Sequence, residues 1–77
     1  MVVNVNKLRG KIIERGMNVE ALAEAIGIDR STLYRKMSCG GDTMLVKDAN
    51  NIVEALGLSA DEAVSIFFAR LSHDMRH

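Results

Sequence analysis

Within seven consecutive residues, Arg30-Ser31-Thr32-Leu33-Tyr34-Arg35-Lys36, the chain carries three cations, two aliphatic hydroxyls and one phenol. A guanidinium is a planar fork of donors that pairs bidentately with guanine or phosphate, and a hydroxyl can meet several base edges. A tyrosine can lay its ring on a sugar or a thymine methyl while its hydroxyl donates to phosphate. Such a set suits recognition of a polyanion that also has edges to read. The same residues raise a second chemistry, because Tyr34 between Arg30 and Arg35 outlines a tyrosine nucleophile flanked by phosphate-binding cations, as in a recombinase. No Glu or His is placed to complete that site, and a chain of 77 residues is expected to leave no pocket of the usual ~300 Å³. No enzymatic activity is expected.

The chemistry depends on which of these side chains face outward. At about 100° per residue, with Leu33 at zero, Leu33 and Met37 set an inward direction near 20°. Ser31 and Arg35 then fall at about 160° and 200°, with Thr32 at about 260° and Tyr34 at about 100°. Arg30 lies nearer the inward line, but at the helix tip, where a long side chain still reaches out. Arg30, Ser31, Thr32, Tyr34 and Arg35 are therefore the candidate base-contacting residues, with Lys36 at the margin as a phosphate contact. Asn18, at the head of the preceding helix, is a second phosphate contact, since free backbone N–H groups collect at a helix N-terminus.

These side chains need a helical hairpin to hold them. Asn18 and Asp29 are good N-caps, and Gly27 separates Leu22-Ala23…Ile26 from Ile28…Leu33. Two helices joined by a three-residue turn must cross steeply and closely. That requires a small residue at the crossing (Ala23), a glycine at the turn (Gly27) and apolar locks (Leu22, Ile26, Ile28, Leu33). Such a unit, over residues 18–38, places its second helix in the major groove of DNA.

Around it, Gly16, Gly40-Gly41 and Gly57 punctuate the chain into five helical segments. The first runs over about 4–15 with Leu8 and Ile12 inward. The fourth runs over about 46–56 with Ala49, Ile52, Val53 and Leu56 inward. The fifth opens at Ser59-Ala60-Asp61-Glu62, a capping box, and continues to about 71. The absence of proline and of alternating β-branched runs makes the fold all-α. Residues 1–71 form one domain, with 72–77 as a flexible tail.

The run Leu22-Ala23-Glu24-Ala25-Ile26-Gly27-Ile28-Asp29-Arg30-Ser31-Thr32-Leu33 resembles the hallmark stretch of the phage repressor/Cro type of helix-turn-helix domain, the XRE family. Residues 59–68 are similar to the endings of short regulators carried by phages and mobile elements. The resemblance covers about 4–70. It implies a compact five-helix lambda repressor-like bundle, operator binding as a dimer on a pseudo-palindrome, and a role as transcriptional repressor or switch protein. The sequence departs from the family where Val19 and Leu45 replace residues that are often polar, and where Lys36 occupies a position that is commonly apolar.

Other features narrow the setting. Formal net charge is zero, yet residues 1–36 hold seven basic and four acidic side chains, a balance of +3, and residues 37–77 hold three and six, a balance of −3. The positive half can steer the molecule towards phosphates. The fifth helix is apolar on more than one side, so Val64, Phe68 and Leu71 are expected to form a symmetric dimer contact. Cys39 is the single cysteine, which points to a reducing, cytoplasmic compartment. Cys39, His73 and His77 lack metal-ligand spacing, so neither a metal nor a cofactor is expected. Nor is a membrane or small-molecule partner; the expected partners are double-stranded DNA and a second copy of the chain. The alternative is a helix-turn-helix module whose outer face meets another protein, such as an antirepressor or assembly factor.

Overall fold

Each helix begins at a residue whose side chain or neighbour can take up orphan backbone donors. Asn4 accepts from the Lys7 amide at 3.1 Å, Asn18 from Ala21 at 2.7 Å, and Asp29 from Ser31 at 3.1 Å. Ser59 and Glu62 close the expected capping box at 3.2 and 2.9 Å. The computed structural model describes residues 3–41 and 43–68. Within them the elements are α1 (Val5–Glu14), α2 (Val19–Ile26), α3 (Arg30–Ser38), α4 (Val46–Leu56) and α5 (Ala60–Phe67). No strand occurs among the described residues.

The stops of α1 to α4 each lead into a glycine at positive φ. At the α2–α3 turn, Gly27 has φ 77°, and the Ile28 and Gly27 amides donate to Ala23 and Glu24 carbonyls at 3.0 and 3.2 Å. This paired closure satisfies two of the orphan carbonyls and requires a left-handed residue. Only glycine takes that conformation without cost. The turn thereby fixes the angle at which α3 leaves α2.

The core joins all five helices. Leu8 and Ile12 of α1, Val19, Leu22 and Ala23 of α2, Leu33 and Met37 of α3, Ala49, Ile52 and Leu56 of α4, and Ile66 and Phe67 of α5 are buried. Val53, expected inward, is only half-buried. The N-terminal strap adds Val3, whose amide donates to Gly40 at 3.2 Å and whose side chain lies where a Cβ on Gly41 would have to be. Asn4 continues the strap by donating to the Ile66 carbonyl at 2.7 Å, which ties the chain start to α5.

Two ionic clasps brace the bundle. Arg15 donates from Nε to the Leu56 carbonyl at 2.8 Å, so a cation from α1 neutralises the negative C-terminal end of α4. Lys11 pairs with Glu62 across α1 and α5. The Lys11 ammonium, followed by the Ser59 amide, holds the Glu62 carboxyl down to about 2. α5 ends at Phe67, earlier than expected, with Phe68 as its cap at φ −130°. The expectations for Leu71 and for a tail over 72–77 lie outside the described residues.

Candidate nucleic-acid interface

Burying Leu33 and Met37 forces the opposite side of α3 into solvent, and Arg30, Ser31, Tyr34 and Arg35 are all exposed there. Thr32 is half-buried, in keeping with its flanking position on the wheel. The structure thus brings the five expected base-contacting residues onto one helix at one edge of the bundle.

Their electrostatic settings differ. Among the described residues, Arg35 takes part in no ion pair or side-chain hydrogen bond, so its full fork of donors is presented outward. Arg30 instead pairs with Glu20 of α2 at 3.2 Å. Both side chains are more than half exposed, so this pair is worth only about 0–1 kcal/mol and opens readily. Ser31 is held from below, because its amide and its hydroxyl both donate to Oδ2 of Asp29. The Ser31 hydroxyl, followed by its amide, lowers the Asp29 pKa and keeps the carboxylate charged.

Asn18 sits at the head of α2 with its oxygen on the Ala21 amide, which leaves its NH₂ group outward. Beside it lies a groove of about 210 Å³ lined by Arg9, Ile12, Ile13, Met17, Asn18, Val19 and Tyr34. This groove joins α1 to the α2 cap and to the flank of α3. Ile13 is 74% exposed at its rim and Tyr34 is 44% exposed. Arg9 and Ile13 were not among the expected site residues. Their only signal in the sequence is that Ile12 and Ile13 are adjacent on a helix, so one of the pair must face away from the core.

Lys36 does not stand where the sequence reading put it. Its ammonium reaches inward to Asp48 at 2.9 Å and to the Thr43 carbonyl at 3.1 Å. Asp48 is buried and also receives the Leu45 amide at 3.0 Å. Burial pushes the Asp48 carboxyl up, but the Lys36 ammonium and the Leu45 amide more than offset this and leave it below its ordinary value. The departures at Lys36 and Leu45 are therefore connected: a lysine in a mostly apolar position meets the aspartate that caps a helix whose N-cap residue, Leu45, has no side-chain oxygen. Val19, the third departure, is buried in the core and gives α2 packing in place of a polar contact.

A larger depression of about 380 Å³ lies between α2 and α4, lined by Ala25, Ile26, Asn51, Glu54 and Ala55. The expectation that a chain this short leaves no pocket above ~300 Å³ therefore fails. The lining nonetheless holds one titratable side chain, Glu54. On α5 and at its cap, Val64 and Phe68 are 38% and 40% exposed, one helical turn apart.

No match was found among curated proteins or among solved structures. The family described as Cro/C1-type HTH DNA-binding domain matches residues 7–66, a span that holds the hairpin, the groove beside Asn18 and both ionic clasps. The chain belongs to the Cro/C1-type helix-turn-helix family of DNA-binding domains.

Proposed function

We propose that the protein is a sequence-specific transcriptional regulator, of the repressor or Cro-like switch kind found in phages and mobile elements. It binds operator DNA in the major groove as a homodimer. The observation that carries this reading is the outward face of α3, where Arg35 is unpaired among the described residues and is exposed with Ser31 and Tyr34, Tyr34 lining one groove with Asn18. In this reading Arg35 pairs with guanine, Arg30 and Thr32 reach flanking bases, and Asn18 holds a phosphate together with the first N–H groups of α2. Arg9 adds a cation to the same phosphate, and a deoxyribose packs on Ile13 and Tyr34 in the groove between them. Lys36 is left out of the contact set, because two of its three N–H donors are engaged within the fold.

The dimer reading is supported by Val64 and Phe68, which stay exposed after the core is filled. Two half-sites about 34 Å apart on one face of the duplex would then be read together. The reducing interior of a cell is the corresponding compartment.

A selection from a random duplex pool at low salt tests the reading. The expected result is a two-fold symmetric consensus, with affinity falling steeply as salt rises because counterions are released. Sedimentation of the free protein and of a Phe68→Glu variant tests the dimer, and the variant should be monomeric with weakened binding to the full operator. Absence of binding to any duplex would overturn the DNA reading and favour a protein-binding module.

A further inference from the structure

We propose that Ser31 reads an exocyclic base amino group, so that one position of each half-site accepts adenine or cytosine and rejects guanine and thymine. The inference rests on α3 being the reading helix and adds the polarity of one contact. A serine hydroxyl has one proton to give and two lone pairs, whereas an ionised carboxylate only accepts. Because the Ser31 hydroxyl is bonded to Asp29 Oδ2, the proton of that bond must come from Ser31. The hydroxyl then shows the groove lone pairs alone. The same carboxylate oxygen also takes the Ser31 amide at 3.1 Å, so the serine is held at two points and does not rotate freely to recover its donor. The depressed pKa of Asp29 agrees with a carboxylate that stays charged.

The surroundings reinforce this polarity. Asp29 and Glu20 place two carboxylates at the tip of α3 against the single guanidinium of Arg30, which in the free protein pairs with Glu20 at 3.2 Å. In the major groove only adenine N6 and cytosine N4 present donors, while guanine offers N7 and O6 and thymine offers O4 and a methyl. Facing guanine or thymine, the Ser31–Asp29 pair would meet acceptor with acceptor. The consequence is an unusual pattern. The position separates A·T from T·A and C·G from G·C, but separates A·T from C·G poorly. Arg35, one turn further along α3, has the opposite polarity and favours guanine.

The experiment uses the full 77-residue chain and the duplex selected by it. Affinities are measured for the wild type, Ser31→Ala and Asp29→Gly against duplexes carrying each base at every half-site position. At the Ser31 position the amino group is also removed, with purine for adenine or 2-pyrimidinone for cytosine. The wild type should prefer adenine or cytosine at one position by roughly 5- to 30-fold, and lose that preference with the amino group. Ser31→Ala should be indifferent to the deletion. Asp29→Gly keeps a tolerated N-cap but removes the carboxylate acceptor, which frees the hydroxyl proton. Guanine and thymine should then bind within about threefold of the preferred bases. A Ser31-dependent position that prefers guanine or thymine, or a wild-type profile unchanged by Ser31→Ala, would overturn the proposal while leaving DNA reading by α3 intact. Lack of preference at every position would overturn both.

Discussion

Replacing Lys36 with methionine separates a role in the fold from a role in DNA contact. The lysine side chain is 16% exposed and its aspartate partner 10%. The ammonium makes two bonds, to Asp48 at 2.9 Å and to the Thr43 carbonyl at 3.1 Å. Methionine preserves most of the packing volume but leaves Asp48 with the Leu45 amide as its remaining partner. Breaking a fully buried pair from one side costs about 3–5 kcal/mol. This pair keeps some access to water, so about 2–3 kcal/mol is expected, a large share of the roughly 4–12 kcal/mol typical of a domain this size. At roughly 4–8 °C per kcal/mol, the melting temperature should fall by about 8–24 °C. Asp48→Asn in the Lys36→Met background removes the stranded charge and should restore part of the loss. Urea and thermal unfolding followed by far-ultraviolet circular dichroism read all three variants. DNA affinity, measured well below the melting temperature, should change less than threefold. Unchanged stability of Lys36→Met, combined with a tenfold or greater loss of DNA affinity, would refute the reasoning and return Lys36 to the phosphate-contacting set.

The complementary variant is Arg35→Ala, which should cost on the order of 1–3 kcal/mol of binding at one base position and less than about 0.5 kcal/mol of stability, as binding titrations and urea unfolding on one preparation can show. Gly27→Ala and Gly41→Ala both place a side chain at positive φ, 77° and 85°, costing about 1–2 kcal/mol. Nothing crowds the added carbon at Gly27, whereas at Gly41 it meets Val3, so Gly41→Ala should unfold at the lower denaturant concentration. Glu62 has its folded pKa depressed to about 2 from 4.5. Its contribution to stability is therefore complete above pH 4.5 and is lost as pH falls through about 2. A Glu62→Gln variant should be less stable than wild type at pH 6, with the difference closing between those limits in urea titrations.

The starts of the helices were legible because each depends on one residue type at one place. Asn18, Asp29 and Ser59 all accept from the first-turn amides that their positions predicted, and Asn4 does the same at the start of α1. The hairpin was legible for a similar reason, since a short turn, a small crossing residue and a left-handed glycine leave few arrangements open. The end of α5 was not, because neither glycine nor proline marks it. Phe68 leaves helical geometry at φ −130° within an apolar run whose composition would allow the helix to continue. The inward pairing of Lys36 was not legible for a different reason. Its partner lies twelve residues away on α4, and periodicity within one helix carries no information about which cation will find a carboxylate on another. Arg30 with Glu20, ten residues back across the turn, is a second case. Arg9 and Ile13 joined the site only when α1 was packed beside the α2 cap.

These pairings decide which charges a chain of zero net charge leaves for a polyanionic partner. Glu62 is engaged with Lys11 and Arg15, and Asp48 with Lys36, so these cations and carboxylates are taken up within the scaffold. The two carboxylates left at the reading edge, Glu20 and Asp29, face Arg30 and Ser31. They weaken the general attraction of the α3 tip for phosphate and sharpen what the tip will accept. One protomer therefore brings few uncompensated cations to the duplex, chiefly Arg35 and Arg9, and the salt-dependent affinity of one half-site is correspondingly modest. In the proposed dimer, joining two half-sites through the Val64–Phe68 surface would double those contacts and make the second binding event intramolecular, a gain that can reach 10²–10⁴-fold. In a protein arranged this way, discrimination comes from the polarity of individual side chains on α3 and affinity from the pairing of protomers. A monomeric Phe68→Glu variant should accordingly keep the wild-type base preferences on a single half-site while losing most of its affinity for the full operator.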